Sequence, residues 1–389
     1  MITILILIFT LGYLAITLEQ TIKINKSATA LMTAVLCWTL IISNASNKEL
    51  IIEQLSHHLS SISEIVFFLL GAMTIVEIID AHDGFQNITE RIKTNHKTKL
   101  IWLIAVITFF LSAVLDNLTS TIVMMSILNK LIEDKKTNWL LLSLVIISSN
   151  AGGAFSPIGD VTTTMLWIGG QISPLNIMKQ TFLASLVCMV VPTLIINYMI
   201  KGKIELRANV ENSLNFNTNS FERNLIFYVG IGCLLFVPIF KTLTHLPPYM
   251  GMFLSLGIIW TLTELIHNKK HVNEKGILSV SHALRKIDTP SILFFFGILL
   301  SIASLEVVGV LPQMASTLNS SIGNLNLVAI CIGLLSAVFD NVPLVAGSMG
   351  MYPIEDAASI AAMTDPAAIV LFSPMITGPT SDVFAPIKH

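Results

Sequence analysis

Apolar runs of membrane-spanning length recur along the whole chain and constrain its fold more than any other feature. A spanning helix needs about 20 mostly apolar residues, and no segment of soluble-domain size separates the runs. Only 12% of the residues are charged, against roughly 25% in soluble domains. The sequence therefore predicts an all-α polytopic membrane protein. The runs are 1–18, 27–43, 62–82, 100–132, 139–171, 175–200, 224–241, 246–267, 291–309, 326–352 and 366–387.

The first run is expected to be a retained helix. It lacks a basic leading segment and is followed by Glu19 and Gln20 rather than by small residues, so it is not typical of a cleaved signal peptide. The net charge of −2 gives no indication of a nucleic-acid partner.

Lysine and arginine predict the orientation, because basic residues collect in cytoplasmic loops. Of the 22 basic residues, only Lys48, Lys179 and Lys241 lie outside one alternating set of loops. This distribution holds only if runs 100–132 and 326–352 each enter and leave on one side of the membrane. Both runs are then re-entrant hairpins, and the N-terminus lies outside.

The two predicted hairpins also match in sequence. LSAVLDNLT (111–119) and LSAVFDNVP (335–343) share six identical positions in register. Because one hairpin enters from the cytoplasm and the other from outside, the chain is predicted to contain an inverted-topology repeat. Such repeats are typical of secondary transporters, whose binding site lies near the midplane of the membrane.

This reasoning predicts four regions. They are N-terminal scaffold helices (1–61), a first repeat (62–200) with hairpin 100–132 and an unwound helix 139–171, a linker region (201–290) with helices 224–241 and 246–267, and a second, incomplete repeat (291–389) with hairpin 326–352.

The stretch SNAGGAFSPIGDVTTT (149–164) interrupts an otherwise apolar run. Non-helical backbone at membrane depth is tolerated only inside protein or beside a water-filled cavity. Gly152 and Gly153 permit unusual dihedral angles, and Pro157 blocks helix continuation. We therefore expect the helix to unwind at 149–157 and to form a binding site there, with Asp160 at the start of a second half-helix.

Intramembrane carboxylates are functional by default, and oxygen ligands suit a hard cation such as Na⁺. Removing a carboxylate from water favours its protonated form, so H⁺ can compete with Na⁺. The predicted Na⁺ ligands are Asp116, Asn117, Asn150 and Asp160. The full set of cation or proton ligands adds Thr119, Thr162, Thr163, Asp340 and Asn341.

Each candidate also has a purely structural interpretation. Asp160 could simply cap the second half-helix, whereas a cap is less obvious for Asp116 and Asp340 at the hairpin tips. Helical threonines such as Thr163 often bond their own backbone.

Secondary candidates are Ser112 and Ser336, where small residues could merely allow close packing, and Glu64 and Asp288, which are typical of helix starts. His57 and His58 are expected in an outer loop, as solvated residues or a pH sensor. The polar residues Glu77, Asp80, His82 and Asp83 stand at an inner helix end, where an interfacial role is sufficient.

Four motifs resemble the NhaD-type sodium/proton antiporters of the ion transporter superfamily, which also includes arsenite-efflux proteins and divalent-anion/sodium symporters. The resemblance covers about residues 50–352. The motifs are EIVFFLLGAMTIVEIIDAHDGF (64–85), LSAVLDNLTSTIVM (111–124), SSNAGGAFSPIGDVTTTMLWIGG (148–170) and LSAVFDNVPLVAGSMGMY (335–352).

The resemblance implies scaffold helices plus a transport domain with two hairpins and two discontinuous helices. It also implies exchange of Na⁺, with Li⁺ as a second candidate, for H⁺. The implied ion site is Asp116-Asn117-Leu118-Thr119 with residues 150–163, and Asp340-Asn341 in the second repeat. We expect no cofactor and no nucleic acid, with monovalent cations, protons and the bilayer as partners and a homodimer as a compatible assembly.

The segment 356–389 departs from the family pattern, because it holds only one poor candidate for a second unwound loop, 373–382. One alternative is therefore that the chain is a truncated, non-transporting remnant, in which Na⁺ binds at the first repeat but exchange is weak.

An arsenite or anion transporter is the other alternative, although two acidic hairpin tips would repel anions. An intramembrane aspartyl protease would need GxGD and PAL elements, which are absent, so no enzyme is expected. The expected location is a bacterial inner membrane or an organelle membrane of bacterial origin.

Overall fold

The computed structural model describes residues 1–86, 96–200, 219–267, 278–336 and 341–352. Within these ranges no β-strand occurs and the secondary structure is helical. The prediction of an all-α chain is confirmed for this part. Asp340 and the C-terminal run 366–387 lie outside the described residues, so the predictions made for them stay predictions.

The helices divide between two compact units. The first unit comprises residues 1–67, 165–173 and those from Asp288 onward. Its helices are α1 (Ile2–Thr17), α2 (Glu19–Ile22), α3 (Lys26–Asn44), the first part of α4 (Lys48–Ala81), α13 (Thr289–Val307), α14 (Val310–Ile322), α15 (Leu325–Ser336) and α16 (Asn341–Met351).

The second unit comprises residues 68–164 and 174–287. It contains the last part of α4 and most of the polar motifs. Its other helices are α5 (Lys97–Ser112), α6 (Asn117–Leu131), α7 (Lys135–Ala154), the start of α8 (Val161–Ile168), α9 (Pro174–Met199), α10 (Ser220–Thr244), α11 (Pro248–His267) and α12 (Val280–Lys286).

Six of the described helices are long and apolar enough to cross a membrane. They are α3, α4, α9, α10, α11 and α13. A further apolar pair, Val310–Ile322 and Leu327–Leu334, is bent by 117° at a short break. These lengths confirm a multi-pass membrane protein.

Helix α4 begins earlier than expected. Residues 48–64 contain neither glycine nor proline, so the helix runs without interruption from Lys48 to Ala81. His57 and His58 therefore lie within a helix and not in a loop, and Glu64 does not mark a helix start. Asp288 does cap a helix as predicted, since its Oδ1 accepts a hydrogen bond from Ser291 N of α13 at 3.2 Å.

Residues 310–322 form helix α14. Glycines in the left-handed region bound the helix, Gly309 with φ 78° and Gly323 with φ 63°. The helix buries Val310, Leu311 and Ala315, and this burial stabilises it despite the polar residues on its other face.

Both predicted hairpins consist of two helices and not one span. Run 100–132 contains α5 and α6, separated by residues 113–116. Run 326–352 contains α15 and α16, and the residues between them lie outside the described ranges. That these pairs re-enter the membrane on one side stays a prediction.

Candidate cation site

The helix interruption lies later in the chain than expected. Helix α7 continues through Gly152 and Gly153 to Ala154, and the non-helical segment covers residues 155–160 before α8 begins. The prediction that these two glycines adopt unusual dihedral angles is therefore wrong. Asn150 lies in a helix and not in an unwound loop.

The glycines instead allow close backbone contact. A Cβ atom on Gly152 would lie 2.0 Å from the carbonyl oxygen of Phe109 in α5. A Cβ on Gly153 would lie 2.5 Å from the carbonyl oxygen of Gly159, and one on Gly159 would lie 2.6 Å from that of Ser112. The interruption is therefore packed directly against α5, where only glycine fits.

Hydroxyl groups from α8 satisfy carbonyl groups of the interruption. Thr163 Oγ1 donates to Ser156 O at 2.7 Å, and Thr164 Oγ1 donates to Pro157 O at 3.0 Å. The ring of Phe155 stacks on that of Phe109, with centroids 5.0 Å apart. Non-helical backbone in a membrane needs such internal partners. Thr163 thus supports the loop, which is the structural alternative considered for it.

Asp160 both caps α8 and connects it to another helix. Its Oδ1 accepts hydrogen bonds from Thr162 N at 2.8 Å and Thr162 Oγ1 at 2.6 Å. Its Oδ2 accepts from the side-chain amide of Asn117 at 2.6 Å. The residue is only 9% exposed. Capping alone would use the first oxygen, so the second interaction needs a further explanation.

The side chain of Asn117, the first residue of α6, donates to two other polar side chains. An ionised carboxylate only accepts, so the amide nitrogen of Asn117 must face Asp160. The same nitrogen donates to Asn150 Oδ1 at 3.0 Å, and Asn150 in turn donates to Ile146 O at 2.9 Å. The structure therefore brings together three of the predicted ligands, Asn117, Asn150 and Asp160.

Asp116 caps α6, contrary to the expectation that a cap explains it poorly. Its Oδ1 accepts from Thr119 N at 2.7 Å and its Oδ2 from Thr119 Oγ1 at 2.8 Å. Its backbone has φ 146° and ψ 164°, a region nearly restricted to glycine that costs about 1–3 kcal/mol. Such strain clusters at functional sites. Asp116 also interacts electrostatically with Asp160.

Two buried serines hold the junction between α5 and α6 against α7. Ser112 Oγ donates to Ser149 O at 2.6 Å, and Ser149 Oγ donates to Asn117 O at 2.5 Å. Both side chains are fully buried. Ser112 is thus a hydrogen-bonding residue as well as a small one. Sequence reasoning missed Ser149, although its place directly before Asn150 in the polar stretch could have indicated it.

This cluster is suited to a monovalent cation. It offers two carboxylates, two side-chain amides and two threonine hydroxyls from α6, α7 and the start of α8. No group of three His, Cys, Asp or Glu side chains that could hold a metal ion occurs in the described ranges. Carboxylate and neutral oxygens together are ligands that Na⁺ accepts.

In the first unit the segment LSAVFDNVP (335–343) is only partly described. Ser336 Oγ donates to Asn341 Oδ1 at the ends of α15 and α16. Asp340 lies outside the described residues, so its role stays a prediction.

Comparisons with known proteins agree with this geometry. Residues 5–373 match the family model described as CitMHS, citrate transporter. Sodium/proton antiporter 1 of Arabidopsis thaliana is 48% identical over 350 residues, covering 90% of this chain and 60% of that protein. Sodium/proton antiporter 2 of the same plant is 47% identical, covering 90% of this chain and 82% of the relative.

A bacterial relative is more distant. The Na(+)/H(+) antiporter NhaD of Vibrio cholerae serotype O1 is 28% identical over 380 residues, covering 90% of this chain and 77% of its own length. The resemblance to NhaD-type antiporters inferred from the four motifs is confirmed. The chain spans less than two thirds of the first of these relatives. It belongs to the citrate transporter family of membrane transporters, together with relatives that are named sodium/proton antiporters.

Proposed function

We propose that this chain exchanges Na⁺, and as a second cation Li⁺, for H⁺ across a membrane by alternating access. The observation that carries the proposal is the contact of Asp160 with Asn117. It places a buried carboxylate, already bonded to its own helix, against the tip of α6. The names of the relatives support Na⁺ and H⁺.

Competition for the same carboxylates would couple the two ions. The carboxylate oxygens of Asp116 and Asp160 are ligands that both Na⁺ and H⁺ can bind. Burial and the nearby second negative charge make it unfavourable for both carboxylates to stay ionised without a cation. Binding of Na⁺ would therefore displace H⁺.

Anion transport is the competing function, because the description of the matching family names citrate, which is an anion. Citrate would need donors or positive charge, whereas the contacts described for this cluster place two carboxylates in it. Repulsion between the carboxylates and the anion argues for the cation. The proposal involves no organic cofactor and no catalytic step.

The finer topology is part of the proposal. We place the N-terminus outside. The helix pairs α5–α6 and α15–α16 are re-entrant and belong to the two halves of an inverted repeat. The four regions of the chain are 1–61, 62–200, 201–290 and 291–389. The distribution of lysine and arginine supports this arrangement, and so do the two helix pairs α5–α6 and α15–α16. We place the protein in a bacterial inner membrane or in an organelle membrane of bacterial origin. A homodimer is compatible with this topology.

Purified protein in proteoliposomes with an imposed pH gradient tests the function. Addition of NaCl should dissipate the gradient, whereas choline chloride should not. Dissipation by sodium citrate but not by NaCl would support the anion alternative. No response to either salt would contradict exchange and would favour the alternative in which the chain binds Na⁺ without transporting it.

A further inference from the structure

Two buried serine hydroxyls, those of Ser120 in α6 and Ser148 in α7, differ from the other buried hydroxyls of this protein. Both residues are 0% exposed, and neither hydroxyl has a hydrogen-bond partner among the described residues. A buried hydroxyl without a partner costs free energy, because it has lost its hydrogen bonds to water. Buried polar groups are normally bonded, so these two need an explanation.

Other fully buried hydroxyls in the described helices donate to the backbone. Several bond the carbonyl four residues earlier in their own helix, which is a common arrangement for serine and threonine. These are Thr74, Thr108, Thr193 and Ser301, with distances of 2.6–2.8 Å. Ser255 of α11 instead donates to Cys233 O of α10 at 2.9 Å. Ser120 and Ser148 also lie in helices, but they lack both kinds of bond.

Ser120 lies one turn after the start of α6. Its backbone N–H donates to Asp116 O at 3.1 Å, so the two residues are neighbours along the chain of helical hydrogen bonds. Residues four apart in a helix share a face and lie about 6 Å apart along the axis. Ser120 is therefore next to one of the two carboxylates of the cation cluster.

Ser148 directly precedes the two residues of α7 that contact α6. Ser149 Oγ donates to Asn117 O at 2.5 Å, and the Asn117 amide donates to Asn150 Oδ1 at 3.0 Å. Because a helix rises about 1.5 Å per residue, Ser148 lies within about 3 Å of Asn150 along the axis. The two hydroxyls without partners thus adjoin the cluster from both of the helices that meet at Asn117.

A cation would supply the partner that each hydroxyl lacks. A hydroxyl oxygen carries two lone pairs and a proton that can rotate, so the oxygen can face a positive charge. An ion that enters a buried site loses water, and protein oxygens must replace that water. Neutral hydroxyls do so without adding a third negative charge to Asp116 and Asp160.

We propose that the hydroxyl oxygens of Ser120 and Ser148 bind the cation together with the carboxylates and amides of the cluster. The identity of this cation, Na⁺, rests on the proposed function. The unmet hydrogen bonds of the two serines are then a cost of the cation-free state, and binding of Na⁺ removes it. A serine that only allowed close packing would carry the same cost with and without Na⁺.

Thermal unfolding of the purified chain at graded NaCl, with choline chloride at equal ionic strength, separates these cases. Ser120→Ala and Ser148→Ala remove a hydroxyl without a partner, so the midpoint without Na⁺ should be unchanged or higher. The apparent Kd for Na⁺ taken from the midpoint shifts should rise about tenfold in each variant, the loss expected for one buried ligand.

Ser255→Ala is the matched control, because it removes a fully buried hydroxyl of the same unit that does have a partner. Its midpoint should fall by the same amount with and without Na⁺, and its Kd for Na⁺ should not change.

An unchanged Kd in both serine variants would overturn the proposal and leave Na⁺ at the carboxylates and amides. If one alanine variant does not fold, the other variant decides. Exchange in proteoliposomes completes the experiment. A raised Kd in variants of a chain that exchanges no ions would retain the serine ligands and reject the exchange function. Absence of any Na⁺-dependent shift in the unmodified protein would overturn the serine ligands, and absence of exchange as well would overturn the proposed function.

Discussion

Asn117 donates a hydrogen bond to Asp160 over 2.6 Å and thereby joins the start of α6 to the start of α8. The two residues are separated by 43 positions in the sequence. Between them the chain forms α6 and α7 and the interruption at 155–160. A displacement of α6 relative to α8 would therefore change the surroundings of a buried carboxylate. This is the kind of coupling that alternating access needs.

Asp160→Asn should abolish Na⁺-dependent proton movement with little loss of thermal stability. Asparagine caps helices about as well as aspartate, so the start of α8 should persist while the negative charge is lost. Asp134 is a matched control, because it caps α7 through Thr137 N at 2.9 Å and is exposed. Its hydrogen bonds from Thr137 lower the pKa of the Asp134 carboxyl, so it stays ionised.

Asp134→Asn should leave exchange unchanged. Equal loss of exchange in Asp134→Asn and Asp160→Asn would indicate that capping, and not the charge at the cluster, is what matters.

Asn117→Ala should raise the apparent KM for Na⁺ tenfold or more. A hydrogen bond to a charged group contributes about 1.5–3 kcal/mol, and about 1.4 kcal/mol corresponds to tenfold in affinity. Initial rates of exchange at graded NaCl measure this change. Asn138→Ala is the control, since Asn138 bonds Asn129 at 2.7 Å on the exposed start of α7. An unchanged KM in Asn117→Ala would remove Asn117 from the site.

Na⁺ should raise the midpoint of thermal unfolding. A ligand at 100 times its Kd stabilises the folded state by about 2.7 kcal/mol. The shift should be absent with choline and absent in Asp116→Asn. This readout detects binding without transport, and a shift that persists in Asp116→Asn would place the cation elsewhere.

Gly152→Ala should destabilise the protein strongly. The added methyl group would lie 2.0 Å from the carbonyl oxygen of Phe109, and backbone atoms can yield little. Overpacking of this kind costs about 1–3 kcal/mol. Gly232→Ala in α10 meets nothing within 4 Å and should be neutral or slightly stabilising. Similar thermal midpoints for the two variants would contradict the close contact of α5 with the interruption.

The sequence could predict the polar residues of the site but not their geometry. Asp116, Asn117, Asn150 and Asp160 were recognisable because charged and amide side chains are costly among apolar residues. The position of the interruption was not, because it depends on the contact of Gly152 with Phe109, far along the chain. Local sequence shows only that glycine is present, and not which backbone it approaches.

The helix boundaries and the contacts between helices also differ in how far the local sequence predicts them. The cap at Asp288 follows from Thr289 and Pro290 beside it, which is local information. His82 and His267 lie with their Nε2 atoms 2.8 Å apart, and this contact could not be read from the sequence, because 185 positions separate them. Only the packed structure makes their interaction visible.

Proton release on Na⁺ binding tests the central claim most directly. Purified protein in weakly buffered detergent solution is mixed with NaCl while the pH of the medium is recorded. If the same carboxylates hold either ion, Na⁺ should release protons, choline should not, and the Asp116→Asn/Asp160→Asn double variant should release none. Release of equal size in the double variant, or Na⁺-dependent stabilisation without any release, would contradict competition at Asp116 and Asp160.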